Sequence, residues 1–288
     1  SSVKLCILLD VPTKSGTGET DMQIGLSTSC YFTKVNTEDA LPRIKQLGAD
    51  RFEAFLGGMY EYQEAFAKDM AKSMRDLSMQ CTTVHTLGSQ FEPQLFAGHP
   101  RQRNAALDVF KMVLDCVKIL GASYYVMHGT LFLKQKNFRP NYQYVGERFC
   151  ELCELADSYQ VRLTLENVHW CQYHEVGFAK ALEPYLSQCD LGYTLDIKQA
   201  AQSGYPMEGY MQEMGQRLCN VHLCDITEKD GRIYTSLPGQ GAFDFADLSK
   251  KLKEKNFQGA VTMEVYPDDW EKDEALKRAY EYLKTIFE

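Results

Sequence analysis

The chain has 288 residues, 44% hydrophobic and 24% charged, with a formal net charge of −8. That length suits one large α/β domain or two ordinary ones, no apolar run reaches the roughly 18 residues of a membrane span, and the acidic balance disfavours nucleic acid as a partner. Ten cysteines lie at irregular spacings in a chain whose core needs no staples, so free thiols in a reducing cytoplasm are expected.

The opening stretch, Val3-Lys-Leu-Cys-Ile-Leu-Leu-Asp-Val11, is too short and wrongly flanked for a secretory signal, and a linker-like composition follows it to Asp21. Residues 1–21 are therefore expected to form an extension, with one domain over 22–288. From Met22 the pattern is strand, loop, helix, repeated. Met22–Ser27 reads as a strand, and Thr37–Gly48 as a helix with Thr37 as N-cap and Gly48 as stop. Strands follow at Arg51–Phe55, Gln80–His85 and Tyr124–Met127, separated by helical patterns over Tyr60–Leu77 and Arg101–Leu120.

Phe132–Asn141 reads as a polar and aromatic loop long enough to act as a lid, and Tyr142–Tyr159 as a helix. The apolar run from Val161 forms the fifth strand; Gly192–Leu195, Leu218–Leu223 and Ala260–Val265 form the last three. Helical patterns cover Val176–Leu186, Met207–Gly215, Phe243–Lys255 and Asp269–Phe287, while Thr227–Ala242 reads as a polar loop. Eight strands, each followed by a helix, imply an α/β fold of the (β/α)8 TIM-barrel type. An open doubly wound sheet is the competitor, weakened by the lack of a Gly-x-Gly-x-x-Gly after the first strand.

Strands five to eight share one design: each short apolar run closes on a metal-ligating residue, Glu166, Asp196, His222 and Glu264. A single carboxylate at a strand end is more often a helix cap or ion-pair partner. Four at successive ends of a barrel meet at one rim, so they are expected to hold a single divalent ion. Three carboxylates and an imidazole favour Mn²⁺, Mg²⁺, Co²⁺ or Fe²⁺ over a closed structural zinc, with Mn²⁺ first and Zn²⁺ still in range. His85 and His128 close strands three and four, where they either line a substrate pocket or serve structural hydrogen bonds. His169 is a further candidate substrate contact, ahead of His174 and His99. Trp170, Phe132 and Tyr31 are candidate pocket walls, although packing is the commoner fate of an aromatic ring.

From Met22 to its end the chain resembles the xylose-isomerase-like barrel superfamily, of sugar isomerases and epimerases, inosose dehydratases and zinc-dependent endonucleases. The resemblance rests on Val126-Met-His-Gly, Leu163-Thr-Leu-Glu-Asn, Thr194-Leu-Asp, Asn220-Val-His-Leu-Cys-Asp, Leu237-Pro-Gly-Gln-Gly and Val261-Thr-Met-Glu-Val. It implies that Glu166, Asp196, His222 and Glu264 bind the metal, and that Glu166 and Glu264 also serve as acid and base. The ion would polarise a carbonyl and an adjacent hydroxyl, making the neighbouring C–H acidic enough to form an enediolate.

Two positions depart from the superfamily pattern. Gln199 stands where a substrate- or zinc-binding His often follows the sixth strand, and Asp230-Gly231-Arg232 replaces the Asp-x-His of the endonucleases. A trinuclear zinc site would lack two ligands, which sets DNA repair aside. Arg232 and Gln199 are instead expected to contact a small substrate. The expected activity is isomerisation or epimerisation of a sugar or sugar phosphate by a cytoplasmic enzyme. An inosose-type dehydratase is the nearest rival, and a non-catalytic sugar-binding barrel a more distant one. The sequence leaves the substrate, its phosphorylation and any homo-oligomer open.

Overall fold

The computed structural model describes residues 22–132 and 140–288; the expected extension (1–21) and most of the expected lid fall outside them. In chain order the described strands are β1 (Ile24–Ser27), β2 (Arg51–Leu56), β3 (Gln80–Thr86), β4 (Tyr124–Met127), β5 (Arg162–Glu166), β6 (Gly192–Asp196), β7 (Leu218–Leu223), β8 (Asp225–Lys229), β9 (Arg232–Ser236) and β10 (Ala260–Met263). Eight of them close into a parallel barrel in the order β1-β10-β7-β6-β5-β4-β3-β2, and β8 and β9 form a separate antiparallel hairpin. The strands that end in Glu166 and Asp196, one residue after His222 and just before Glu264 are therefore neighbours, as the sequence pattern requires.

Local chemistry accounts for the helices. Thr37–Gln46 carries Glu38 and Asp39 in its first turn and Arg43 and Lys45 near its end, matching the helix dipole, and buries Ala40, Leu41 and Ile44. The N-cap is Asn36, one residue before the expected Thr37. Pro100–Leu120 begins on proline and ends at Gly121, whose φ of 69° supplies the left-handed conformation that terminates a helix. Two elements differ from expectation. Residues 225–236 pair as the β8–β9 hairpin instead of a loop, and a short helix, Ile197–Ser203, follows β6 directly.

Alternation along the strands separates two interiors. Leu163, Leu165, Tyr193, Leu195, Val221 and Leu223 belong to the apolar core, and each fully buried Leu contributes roughly 1.5–3 kcal/mol. The intervening residues line the barrel lumen. Barrel lumens are commonly filled by branched aliphatic side chains, but here Thr164, Thr194 and Asn220 form a hydrogen-bonded layer. The two hydroxyls lie 2.8 Å apart, and Asn220 Nδ2 donates to both at 3.2 Å. Two residues further along the same strands come Glu166, Asp196 and His222, so the polar layer is the floor of the site above it.

Candidate metal centre

Glu166, Asp196, His222 and Glu264 each place a potential ligand atom within 4.8 Å of the others. The first three are about 1% exposed and Glu264 is 9% exposed, so the group opens to solvent on the Glu264 side. His222 Nδ1 lies 3.7 Å from Glu166 Oε1 and 3.3 Å from Glu264 Oε2, and has no hydrogen-bond partner among the described residues. Its other nitrogen, Nε2, is 3.0 Å from Glu53 Oε2. One imidazole nitrogen is thus fixed by a carboxylate while the second points at the cluster, the orientation that a metal-ligating histidine needs. Glu166 Oε2 is likewise buried and lies 3.2 Å from His128 Nε2. The donor set and the orphaned His222 nitrogen fit a divalent cation.

Glu53 did not figure among the expected site residues. It is fully buried on β2 and accepts from Ser27 Oγ at 2.9 Å and Thr83 Oγ1 at 2.8 Å, in addition to its His222 contact. Burial alone would raise its pKa, but the charge and hydrogen bond of His222, with those of His85, hold it down at about 2. Glu264 is also held well below the carboxylate range, against burial, chiefly by Lys198 and His222. Asp196 goes the other way: burial, reinforced by Glu166 and Glu264, pushes it up to about 7 despite Lys198. Asn167 also contributes, clamping the β6 end by donating to Asp196 O at 2.9 Å and accepting from Asp196 N at 2.8 Å.

His85 and His128 join the rim. Their Nε2 atoms are 2.8 Å apart, and His128 Nε2 is 3.2 Å from Glu166 Oε2. His85 is buried, yet Glu53, Glu166 and Glu264 outweigh that desolvation and raise its pKa to about 9. The turn at His128 is braced from below by buried Glu92, which accepts from the backbone N–H groups of His128 and Gly129 at 2.8 and 2.9 Å. Gln199 and His169 form a pair: Gln199 Oε1 accepts from His169 N at 3.1 Å and lies 2.6 Å from its ring Nδ1.

Other candidates lie elsewhere. Arg232 is exposed at the closed end of the β8–β9 hairpin, opposite Lys229, and takes no part in the cluster. Tyr31 is buried in the core, edge-on to Trp270 at 5.1 Å, and is not a pocket wall. Trp170 stands edge-on to His128 at 5.2 Å and so does flank the site. Phe132 packs on His174 at 4.0 Å, while His99 caps the helix after it. Lys198 is buried beside Asp196 and Glu264. The Leu237-Pro-Gly-Gln-Gly241 turn wraps around Asp225, whose carboxylate accepts from the N–H groups of Ile226, Gly239, Gly241 and Phe243 at 2.9–3.0 Å.

The chain is 25% identical over 261 residues to a fructoselysine 3-epimerase of Escherichia coli O157:H7, covering 85% of this chain and 90% of that protein. An inosose isomerase of Bacillus subtilis is 27% identical over 190 residues, covering 61% and 66%. Among solved structures, the IOLI protein with a bound zinc atom superposes with a TM-score of 0.76 at 19% identity, covering 93% of this chain and 99% of that one. The sequence profile of the xylose isomerase-like TIM barrels matches residues 41–286, and the chain belongs to that family.

Proposed function

We propose that this protein is a metal-dependent isomerase or epimerase of a small sugar or sugar phosphate. The observation that carries the reading is the convergence of Glu166 and Glu264 on the unpartnered His222 Nδ1, with Asp196 in the same group. Glu166, Asp196, His222 and Glu264 would hold the ion, which supplies a Lewis acid for a carbonyl and its neighbouring hydroxyl. Mn²⁺ is our first assignment from the oxygen-rich donors; the zinc in the similar structure makes Zn²⁺ the first competitor.

Glu166 and Glu264 form the acid/base pair. One removes the proton from the carbon beside the carbonyl, and the other returns a proton, to the opposite face in epimerisation or to the next carbon in isomerisation. His128 holds Glu166 Oε2 from the side, and His85, His128 and the Gln199–His169 pair offer donors to substrate oxygens. Arg232 stays a candidate contact only for a substrate that reaches the hairpin end. The names of the two relatives, an epimerase of a sugar adduct and an isomerase of a cyclic polyol ketone, support proton transfer without loss of water. Nine free cysteines among the described residues favour a reducing compartment such as the cytoplasm.

The test is to incubate the Mn²⁺-loaded chain in D₂O with ketoses, aldoses and inososes, with and without phosphate, and to follow each by NMR. One deuteron fixed beside the carbonyl, without dehydration, is expected for at least one substrate. E166Q and E264Q should each lower turnover by at least about 100-fold. Loss of water would make the protein a dehydratase, and no exchange with any compound would remove the enzymatic reading.

A further inference from the structure

Lys198 is the second residue of the Ile197–Ser203 helix, and its side chain turns into the candidate metal centre. Nζ lies 3.4 Å from Asp196 Oδ2 and 3.5 Å from Glu264 Oε2, and sits 4.4 Å from the centroid of the Tyr266 ring. The residue is only 3% exposed. Taking an ammonium out of water costs several kcal/mol unless carboxylates surround it, and here Asp196 and Glu264 supply that compensation. Its two carboxylate partners both belong to the proposed ligand set.

Sites that hold two metal ions use shared carboxylates, with the cations roughly 3.5–4 Å apart. A cation that touches two ligand carboxylates at once is where a second ion would otherwise be drawn. Glu53, Glu166, Asp196 and Glu264 together would attract more positive charge than one divalent ion supplies, and His222 is a neutral ligand once metallated. We propose, resting on the metal reading above, that the Lys198 ammonium stands in for a second cation between Asp196 and Glu264. It limits the centre to one divalent ion and weakens that ion's binding by charge repulsion.

The experiment uses the full chain, stripped with chelator and reloaded with Mn²⁺, read by elemental analysis and electron paramagnetic resonance. Wild type should hold one Mn²⁺ per chain with an uncoupled six-line signal. K198A removes both the charge and the side chain that fills the position; it should take a second Mn²⁺ and show a spin-coupled signal. K198R keeps the charge and should stay at one. K198Q tests the charge alone, without needing room for a second ion: its Kd for the first Mn²⁺ should fall by about tenfold or more. A K198Q protein that binds Mn²⁺ as weakly as wild type or more weakly overturns the proposal, because Lys198 would then only brace Asp196. A folded K198A that stays at one uncoupled ion overturns it too. Wild type that binds no Mn²⁺, Co²⁺ or Zn²⁺ removes the metal reading itself, an outcome distinct from both.

Discussion

Glu53 Oε2 meets His222 Nε2 at 3.0 Å although β2 and β7 are not neighbours in the barrel: β1 and β10 lie between them. The contact therefore spans the lumen, and it decides which imidazole nitrogen is left for a metal. E53Q keeps the shape of the side chain but removes the negative charge that orients the ring and raises its basicity. Divalent-metal affinity should fall about 10- to 100-fold, measured by calorimetry on the chelator-stripped protein. Unchanged affinity would mean that His222 is oriented by something else.

Metal loading should also appear as stability. A ligand that binds only the folded chain contributes about 2.7 kcal/mol at 100 times its Kd. For a chain of this size that corresponds to a rise in Tm of roughly 4–5 °C, reversed by chelator. Scanning calorimetry with Mn²⁺, Co²⁺, Mg²⁺ and Zn²⁺ would rank the ions; a melt indifferent to all four would count against the whole centre.

Gln199 separates metal binding from substrate binding. Its backbone N–H donates to Asp196 Oδ1 at 2.8 Å, while its side chain serves only His169 among the described residues. Q199L keeps the first contact and loses the second. Metal content should stay at the wild-type level, while KM rises about tenfold with kcat changed by less than about threefold. Loss of metal in this variant would show that Gln199 acts through Asp196 instead.

The rim residues were legible because a buried strand that ends in charge is unusual, and the strand order makes the ends of β5, β6, β7 and β10 adjacent. Glu53 was not legible in the same way. It lies inside Arg51-Phe-Glu-Ala-Phe-Leu56, where a polar residue between apolar ones reads as ordinary alternation; only barrel closure brings it to His222. A carboxylate between Phe52 and Ala54 was nevertheless a signal, since buried acids need partners. Lys198 escaped because its direction depends on the short helix after β6. The hairpin was readable. Asp230-Gly231 has φ values of 52° and 71°, the pair of left-handed residues that a two-residue hairpin turn needs.

The Asp225 knot makes Gly241 hard to replace. A Cβ there would lie 2.3 Å from Asp225 Oδ1 and 2.7 Å from Ile226 O. The carboxylate cannot retreat without releasing N–H groups that it alone satisfies around this turn. G241A should therefore cost about 2 kcal/mol or more, lowering Tm by roughly 3 °C or more. A thermal melt within 1 °C or so of wild type would show that the turn can relax without loss.

Far from the barrel rim, Cys189 lies beside two thiols of the Tyr142–Ser158 helix, Cys150 and Cys153. Hydrogen bonding from Cys153 overcomes partial burial and, helped by Cys150, the Leu191 N–H and the charge of Arg217, lowers the Cys189 pKa to about 6. Cys150 moves the opposite way, to about 12, mainly through desolvation. The thiolate is the reactive form, so Cys189 should be alkylated first by iodoacetamide at pH 7. Its rate should climb up to about pH 6 and then level off, whereas an ordinary thiol keeps gaining through about pH 8.5. C153A removes the strongest donor and should move the inflection upward. Peptide mass spectrometry across pH 5–9 reads both; a Cys189 rate that rises in step with free cysteine between pH 7 and 9 would refute the lowered pKa.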